Sequence, residues 1–178
     1  MNNRYSGPDR SLATEDCQAE MEFLFAAHRV STADLDAAVT AAILPGVPRP
    51  VLQTARLNGM LKGFIDLVFA HGGRYFIVDY KSNHLGDDPG AYGPAQMAAA
   101  MLAHRYDLQF VLYTLALHRL LKARLPGYDY DRHMGGAAYL FLRGVDATGR
   151  GVYGERPPRD LIQLLDADFS GGKEDHDA

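Results

Sequence analysis

Residues 63–83 read GFIDLVFAHGGRYFIVDYKSN, and this stretch decides the expected fold. Apolar and aromatic residues dominate on both sides of Gly72-Gly73, and a glycine pair between two such runs is typical of a hairpin turn. The sequence therefore predicts two adjacent antiparallel strands. Asp66 lies on the first strand and Asp79 on the second, so both carboxylates belong to one sheet.

The tripeptide Asp79-Tyr80-Lys81 closes the second of these strands. Residues two apart on a strand project to the same face, so Asp79 and Lys81 are expected to lie side by side. Carboxylates bind Mg²⁺, and a lysine can orient or deprotonate a water for attack on phosphorus. With Asp66 nearby, the pattern favours a metal-dependent phosphodiesterase. The same three residues also fit two strand-end aspartates and a solvated lysine.

A second group of candidate residues lies on a predicted helix. Gln109 and Tyr113 are spaced i, i+4 and share one face, with Arg105 one turn earlier. They could offer an amide, a phenol and a guanidinium to a phosphate backbone or a stacked base. An ordinary amphipathic helix with a polar flank is the alternative. Glu22 is a further candidate metal ligand, although a solvated strand face is the better explanation for it.

The composition limits the class of protein. The 178 residues are 47% hydrophobic and 22% charged, which suits one domain with a real core. A formal charge of −4 argues against a generally basic nucleic-acid coat but permits a local basic groove. The single cysteine, Cys17, excludes an internal disulfide. There is no signal peptide and no apolar run of membrane-spanning length, so we expect a soluble cytoplasmic protein.

The pattern divides the chain into a linker (1–16), a folded domain (17–168) and a disordered tail (169–178). Strands and helices are mixed around one sheet, which indicates an α/β or α+β domain. The predicted strands cover residues 17–28, 51–58, 61–71, 74–81 and 135–143, with a turn at Gly59. The predicted helices cover residues 31–44, 94 to about 101, 105–125 and 157 to about 165. Ser31 with Asp34 is the predicted capping box of the first helix.

Several longer motifs occur in one order along the chain. They are GMLKGFID (59–66), DYKSN (79–83), AAAMLAHRYDLQ (98–109), LYTLALHR (112–119), Gly135-Gly136 and YLFLRG (139–144). Together they resemble the C-terminal nuclease domain of RecB, the beta subunit of the bacterial RecBCD helicase–nuclease (exodeoxyribonuclease V). The resemblance covers roughly residues 17 to 168 and is far more specific than the D-x-K tripeptide.

This resemblance implies the restriction-endonuclease-like PD-(D/E)xK fold, with a central mixed sheet flanked by helices. It implies Mg²⁺-dependent hydrolysis of DNA, with Mn²⁺ or Ca²⁺ as substitutes in binding, during recombinational repair of double-strand breaks. By motif, Asp66, Asp79 and the main-chain carbonyl of Tyr80 would be metal ligands and Lys81 the catalytic lysine. Gln109 and Tyr113 match the Q-x-x-x-Y motif that borders the site.

The resemblance also implies partners. These are DNA, chiefly single-stranded, RecC-like and RecD-like subunits, and a RecA-like recombinase. RecB-type nucleases usually add a histidine metal ligand from a helix upstream of the first strand, and we expect this chain to begin after it. A second hypothesis therefore stands beside the nuclease: a catalytically weak fragment that serves as a docking module for partner subunits and the recombinase.

Overall fold

The computed structural model describes residues 17–171. A five-stranded sheet forms the centre and helices flank it, which confirms the predicted α/β class. The strands are β1 (Cys17–Ser31), β2 (Arg56–His71), β3 (Arg74–Lys81), β4 (Met134–Phe141) and β5 (Val152–Glu155). The helices are α1 (Thr32–Ala42), α2 (Pro94–Ala103), α3 (Tyr106–Arg124), α4 (Tyr130–His133) and α5 (Arg159–Phe169).

The sheet is mixed, with strand order β1-β2-β3-β4-β5. The predicted β2–β3 hairpin is present, and Gly72 and Gly73 form its turn with φ of 58° and 77°, values that favour glycine. All neighbouring pairs are antiparallel except β3 and β4, which run parallel. A parallel pair needs a long crossover, and the segment containing α2 and α3 supplies it.

The prediction of two strands separated by a turn at Gly59 is wrong. β2 runs without interruption from Arg56 to His71, and the predicted part at 51–55 belongs to no regular element. Gly59 has φ of 137° and pairs with Ala27 inside the ladder. The reason lies in β1, whose 15 residues hold both halves of β2 in one antiparallel pairing. A register shift between Ala27 and Val30 takes up the local irregularity.

The C-terminal elements also differ from the prediction. Neither β5 nor the short helix α4 was predicted from the sequence, and the last helix runs to Phe169 rather than to about residue 165. The Phe169 ring is fully buried and packs edge-on against Phe25, so the predicted domain boundary at residue 168 falls inside α5. The predicted linker 1–16 and the tail beyond residue 171 lie outside the described residues.

Helix α3 is the central helix of the core. Its buried residues include Phe110, Leu115 and Leu117, and it packs on α5, α2, β1 and β4. Ser31 caps α1 as predicted, with its hydroxyl accepting a hydrogen bond from the Asp34 N–H at 3.2 Å. Within the described residues, no helix has the length and apolar character that a bilayer crossing requires.

A buried network of charges ties α1 to the start of α3. Arg49 Nη1 lies 2.8 Å from Asp107 Oδ2, and the two side chains are only 3% and 1% exposed. Arg105 contacts Asp107 at 3.1 Å and Asp36 at 2.7 Å. Burial raises the pKa of Asp36, but hydrogen bonds from the Leu52 N–H and from Arg105 outweigh it and leave that pKa lowered. The network therefore favours the ionised form of Asp36 and links α1 to the α2–α3 junction.

Replacing Asp107 with alanine should strongly destabilise the fold. The change leaves the Arg49 guanidinium buried without its carboxylate, and removing one partner of a buried pair typically costs ~3–5 kcal/mol. The free energy of unfolding from urea titration measures this. Asp131→Ala is the matched control, because Asp131 pairs with Arg156 and Arg159 on the surface and should matter much less. Equal losses in both variants would contradict a stabilising role for the network.

Candidate active site

Strand β3 carries the acid and the lysine of the candidate site. Asp79 lies between β2 and β4 in the sheet and is only 3% exposed. The Lys81 ammonium nitrogen is 2.5 Å from Asp79 Oδ2, and the lysine side chain is 11% exposed. Apart from this ammonium, Asp79 Oδ2 has no hydrogen-bond donor among the described residues. The acid and the base form a close, largely desolvated ion pair.

The structure brings Asp66 to the same place. The paired register of β2 and β3 ends at Leu67 and Val78, one residue short of the two aspartates. There the Asp66 Oδ2 atom accepts a hydrogen bond from the Tyr80 N–H at 2.8 Å. A side-chain carboxylate thus bonds the backbone of β3 directly after Asp79. Asp66 is close enough for its charge to raise the pKa of Asp79.

The pKa of Asp79 is raised overall. Burial is the largest cause, the Lys81 ammonium opposes it, and the Asp66 carboxylate adds to it. Two carboxylates and one ammonium leave a net negative charge in a poorly solvated place, which is unfavourable without another cation. The electrostatics of the site therefore favour a bound cation.

Gln109 and Tyr113 lie at this site, on the first turns of α3. The Lys81 ammonium donates to Gln109 Oε1 at 2.8 Å, and Gln109 Nε2 donates to the Tyr113 hydroxyl at 2.9 Å. Burial raises the pKa of Tyr113, and the charges of Asp79 and Asp66 add to the effect. A chain of polar contacts thus runs from Asp79 through the lysine to the Tyr113 phenol.

Two tyrosines at the site escaped the sequence analysis. Tyr139 is fully buried on β4, in register with Asp79, and its hydroxyl donates to Gln109 Oε1 at 3.2 Å. The Lys81 ammonium lies 3.9 Å from the centre of the Tyr106 ring. Tyr106 is three residues before Gln109, so helical spacing could have placed it on the same face. For Tyr139 no local signal existed, because only the parallel pairing of β3 and β4 brings it there.

Arg105 is not part of this cluster. Its guanidinium donates to the Pro50 carbonyl at 2.7 Å and pairs with Asp36 and Asp107, and its side chain is 11% exposed. The expectation that Arg105 shares a polar helix face with Gln109 assumed that α3 begins at residue 105. Instead Arg105 precedes the helix with φ of 55°, so its side chain leaves in another direction. Its guanidinium bonds internal acids and a carbonyl group, so the predicted role of Arg105 as a DNA contact is not supported.

Glu22, the candidate metal ligand on β1, forms an exposed ion pair instead. Glu22 stands opposite Phe64 and pairs with Lys62 at 2.9 Å, with both side chains more than half exposed. Glu20 lies between Ala19 and Met21, which pair with Leu67 and Ile65, and so occupies the register position opposite Asp66. No group of three His, Cys, Asp or Glu side chains suited to a metal occurs within residues 17–171. The side-chain carboxylates at the core of the site are Asp66 and Asp79.

Comparison with known proteins agrees with this arrangement. Residues 10–174 match the PD-(D/E)XK nuclease superfamily. The chain belongs to this superfamily. The tripeptide Asp79-Tyr80-Lys81 has the form of the (D/E)XK part of that name.

Curated relatives within the superfamily carry the name RecBCD enzyme subunit RecB. The protein from Escherichia coli (strain K12) is 50% identical over 163 residues, which cover 90% of this chain and 14% of that protein. The one from Haemophilus influenzae is 43% identical over 160 residues, covering 89% and 13%. In Mycolicibacterium smegmatis the identity is 42% over 135 residues, covering 66% and 12%. The chain thus spans about one seventh of the length of these relatives, and the predicted resemblance to the RecB nuclease domain is confirmed.

Asp79→Asn should stabilise the metal-free protein at neutral pH. The raised pKa means that the folded state binds the Asp79 proton more tightly than the unfolded state does, so ionising Asp79 costs stability above its unfolded pKa. The advantage of the uncharged asparagine should grow as the pH rises from below 4 toward neutrality, as melting temperatures in EDTA would show. A variant that loses stability across that range would contradict the assigned electrostatics.

Proposed function

We propose that this chain is a Mg²⁺-dependent nuclease domain that hydrolyses DNA phosphodiester bonds. The observation that carries the proposal is the convergence of Asp66, Asp79 and Lys81 at the end of β3, in a chain of the PD-(D/E)XK nuclease superfamily. Because nucleases of this superfamily use divalent metal ions, the excess negative charge between the two aspartates suits such an ion. Mg²⁺ is the proposed ion, and Mn²⁺ or Ca²⁺ could replace it in binding.

The side chains present fit a hard cation. Asp66 and Asp79 would hold it through carboxylate oxygens, and the main-chain carbonyl of Tyr80 is the proposed third ligand, since hard cations prefer oxygen. A bound divalent ion would polarise the scissile phosphate and lower the pKa of a bound water. No thiolate is proposed as a ligand. The only cysteine, Cys17, stands opposite Phe69 on β2 rather than opposite Asp66.

Lys81 would supply the positive charge that the chemistry needs from the protein. Its ammonium is fixed between Asp79 and Gln109, where it can orient a water and offset charge that develops on the phosphate. Gln109 accepts from Lys81 and donates to Tyr113, so it fixes the direction of the ammonium. Asp79 both binds the ion and balances the lysine.

The wider role follows from the relatives, whose name states that they are RecB subunits of the RecBCD enzyme. We propose that this chain likewise acts on DNA, chiefly single-stranded, as an exonuclease in recombinational repair of double-strand breaks in the cytoplasm. RecC-like and RecD-like subunits and a RecA-like recombinase are its proposed partners. The support is the identity of 50% over nine tenths of the chain.

Cleavage of labelled single-stranded DNA tests the nuclease. The chain should degrade it with Mg²⁺ and not with EDTA. Asp79→Asn should abolish cleavage, and Lys81→Ala should reduce turnover by about 100-fold or more, since it removes a preorganised charge. Asp131→Asn, on a surface ion pair, is the control and should keep full activity. A folded, metal-saturated wild type that binds DNA or partner subunits without cutting would overturn the proposal in favour of a docking module.

Metal binding can be measured without cleavage. Mg²⁺ or Ca²⁺ should raise the melting temperature of the wild type in a concentration-dependent way, because a ligand that binds only the folded state stabilises it. Asp66→Asn and Asp79→Asn should each reduce this increase, whereas Lys81→Ala should keep it. An identical increase in all four proteins would show that the ion binds elsewhere.

A further inference from the structure

Two aromatic rings lie near the Lys81 ammonium, in addition to the Asp79 carboxylate and the Gln109 amide. An ammonium group has three N–H donors. Asp79 Oδ2 lies 2.5 Å away as the ion-pair partner, Gln109 Oε1 accepts a hydrogen bond at 2.8 Å, and the centre of the Tyr106 ring lies 3.9 Å away. The ring of Tyr139 is 5.1 Å away. Cation–π attraction acts within about 6 Å of a ring centre and strengthens where water is excluded.

We propose that Tyr106 is a positioning residue for Lys81, and that its ring face directs the ammonium toward the scissile phosphate. This inference rests on the proposed nuclease function of the same site. The role belongs to the aromatic ring, because the hydroxyl of Tyr106 turns away and donates to Asn83 Oδ1 at 3.2 Å. Without the ring, the lysine would keep two polar contacts and lose the surface against which it rests.

The Tyr106 ring is itself held in place. The His104 ring stacks on it with centres 5.2 Å apart, and Asn83 Nδ2 lies 3.2 Å from His104 Nε2. Asn83 follows β3 while His104 ends α2, so these contacts join the lysine strand to the α2–α3 junction. A preorganised ring is what positioning requires, since a free side chain would lose entropy on each encounter with the ammonium.

The junction before Tyr106 determines where the ring points. Arg105 has φ of 55° and is held there by Asp36 and Asp107. This left-handed residue ends α2 and starts α3 in a new direction, with Tyr106 as its first residue. The buried charge network therefore acts on Lys81 through the backbone, without contacting it.

NMR of the metal-free chain tests the ring contact independently of cleavage. A cation over a ring face has its neighbouring methylene protons shifted upfield by the ring current. The chain has four lysines, Lys62, Lys81, Lys122 and Lys173, so ¹³C-lysine labelling gives few signals. The signal that is lost in Lys81→Arg is that of Lys81. We expect the Lys81 ε-methylene protons to be the most upfield of the four. An unshifted Lys81 signal in the wild type would overturn the proposal without any Tyr106 variant.

Two substitutions at one position separate the ring from the hydroxyl. Tyr106→Phe keeps the ring face and loses the contact with Asn83, so the upfield shift should remain. Tyr106→Leu removes the nearer ring and leaves that of Tyr139, so the shift should lose most of its size. Tyr128→Leu is the matched control, since Tyr128 is a half-buried tyrosine that bonds His118 rather than the lysine. An upfield shift of the same size in Tyr106→Leu and the wild type would overturn the proposal.

Steady-state cleavage of single-stranded DNA at saturating Mg²⁺ gives the functional result. Tyr106→Leu should lower kcat by about tenfold, the equivalent of ~1.4 kcal/mol, with KM changed by less than about twofold. Tyr106→Phe and Tyr128→Leu should stay within about twofold of the wild type. Equal losses of kcat in the phenylalanine and leucine variants would overturn the role of the ring. A wild type that does not cleave would refute the nuclease instead, while the NMR result would still decide whether Tyr106 positions Lys81.

Discussion

The organisation of this protein depends on one buried carboxylate. Asp79 is 3% exposed in the middle of a sheet, where an ionised acid is costly unless positive charge lies beside it. Lys81 supplies that charge from two residues along the same strand, and Asp66 works against it from the neighbouring strand. The three groups therefore form an arrangement whose electrostatics improve when a cation enters. A site that is unfavourable when empty gives up some stability in return for ligand affinity.

The scaffold around Asp79 makes this arrangement rigid. β3 is hydrogen-bonded on both sides, by β2 in an antiparallel hairpin and by β4 in a parallel pair. The parallel pair requires the crossover through α2 and α3, and that crossover lays Gln109 against the lysine and Tyr113 against Gln109. The same topology puts Tyr139 in register with Asp79. One topological feature, the parallel pairing of β3 and β4, thus delivers most of the polar groups that surround the ion pair.

The charges of the chain divide into two sets with different roles. Arg49, Arg105, Asp36 and Asp107 are paired with one another and with carbonyl groups, which stabilises the α2–α3 junction. The second set consists of Asp66, Asp79 and Lys81. It has two carboxylates and one ammonium, so its charges do not cancel. Both sets contain buried acids beside bases, so burial alone does not distinguish them. The difference is that the first set satisfies its own charges, whereas the second leaves a carboxylate oxygen with only an ammonium as partner.

Local patterns in the sequence determined the hairpin, the capped start of α1, the long helix α3 and the choice of Asp66, Asp79 and Lys81 as a group. Strand alternation, glycine turns and helical spacing act over a few residues and can be recognised without a structure. The tertiary structure alone decided that β2 is one strand, because its continuity depends on pairing with β1. It also decided that Arg105 is structural, since only the positive φ before α3 turns its side chain toward Asp36. Tyr139 joined the site for the same kind of reason: residues 60 positions apart meet only when distant strands pair.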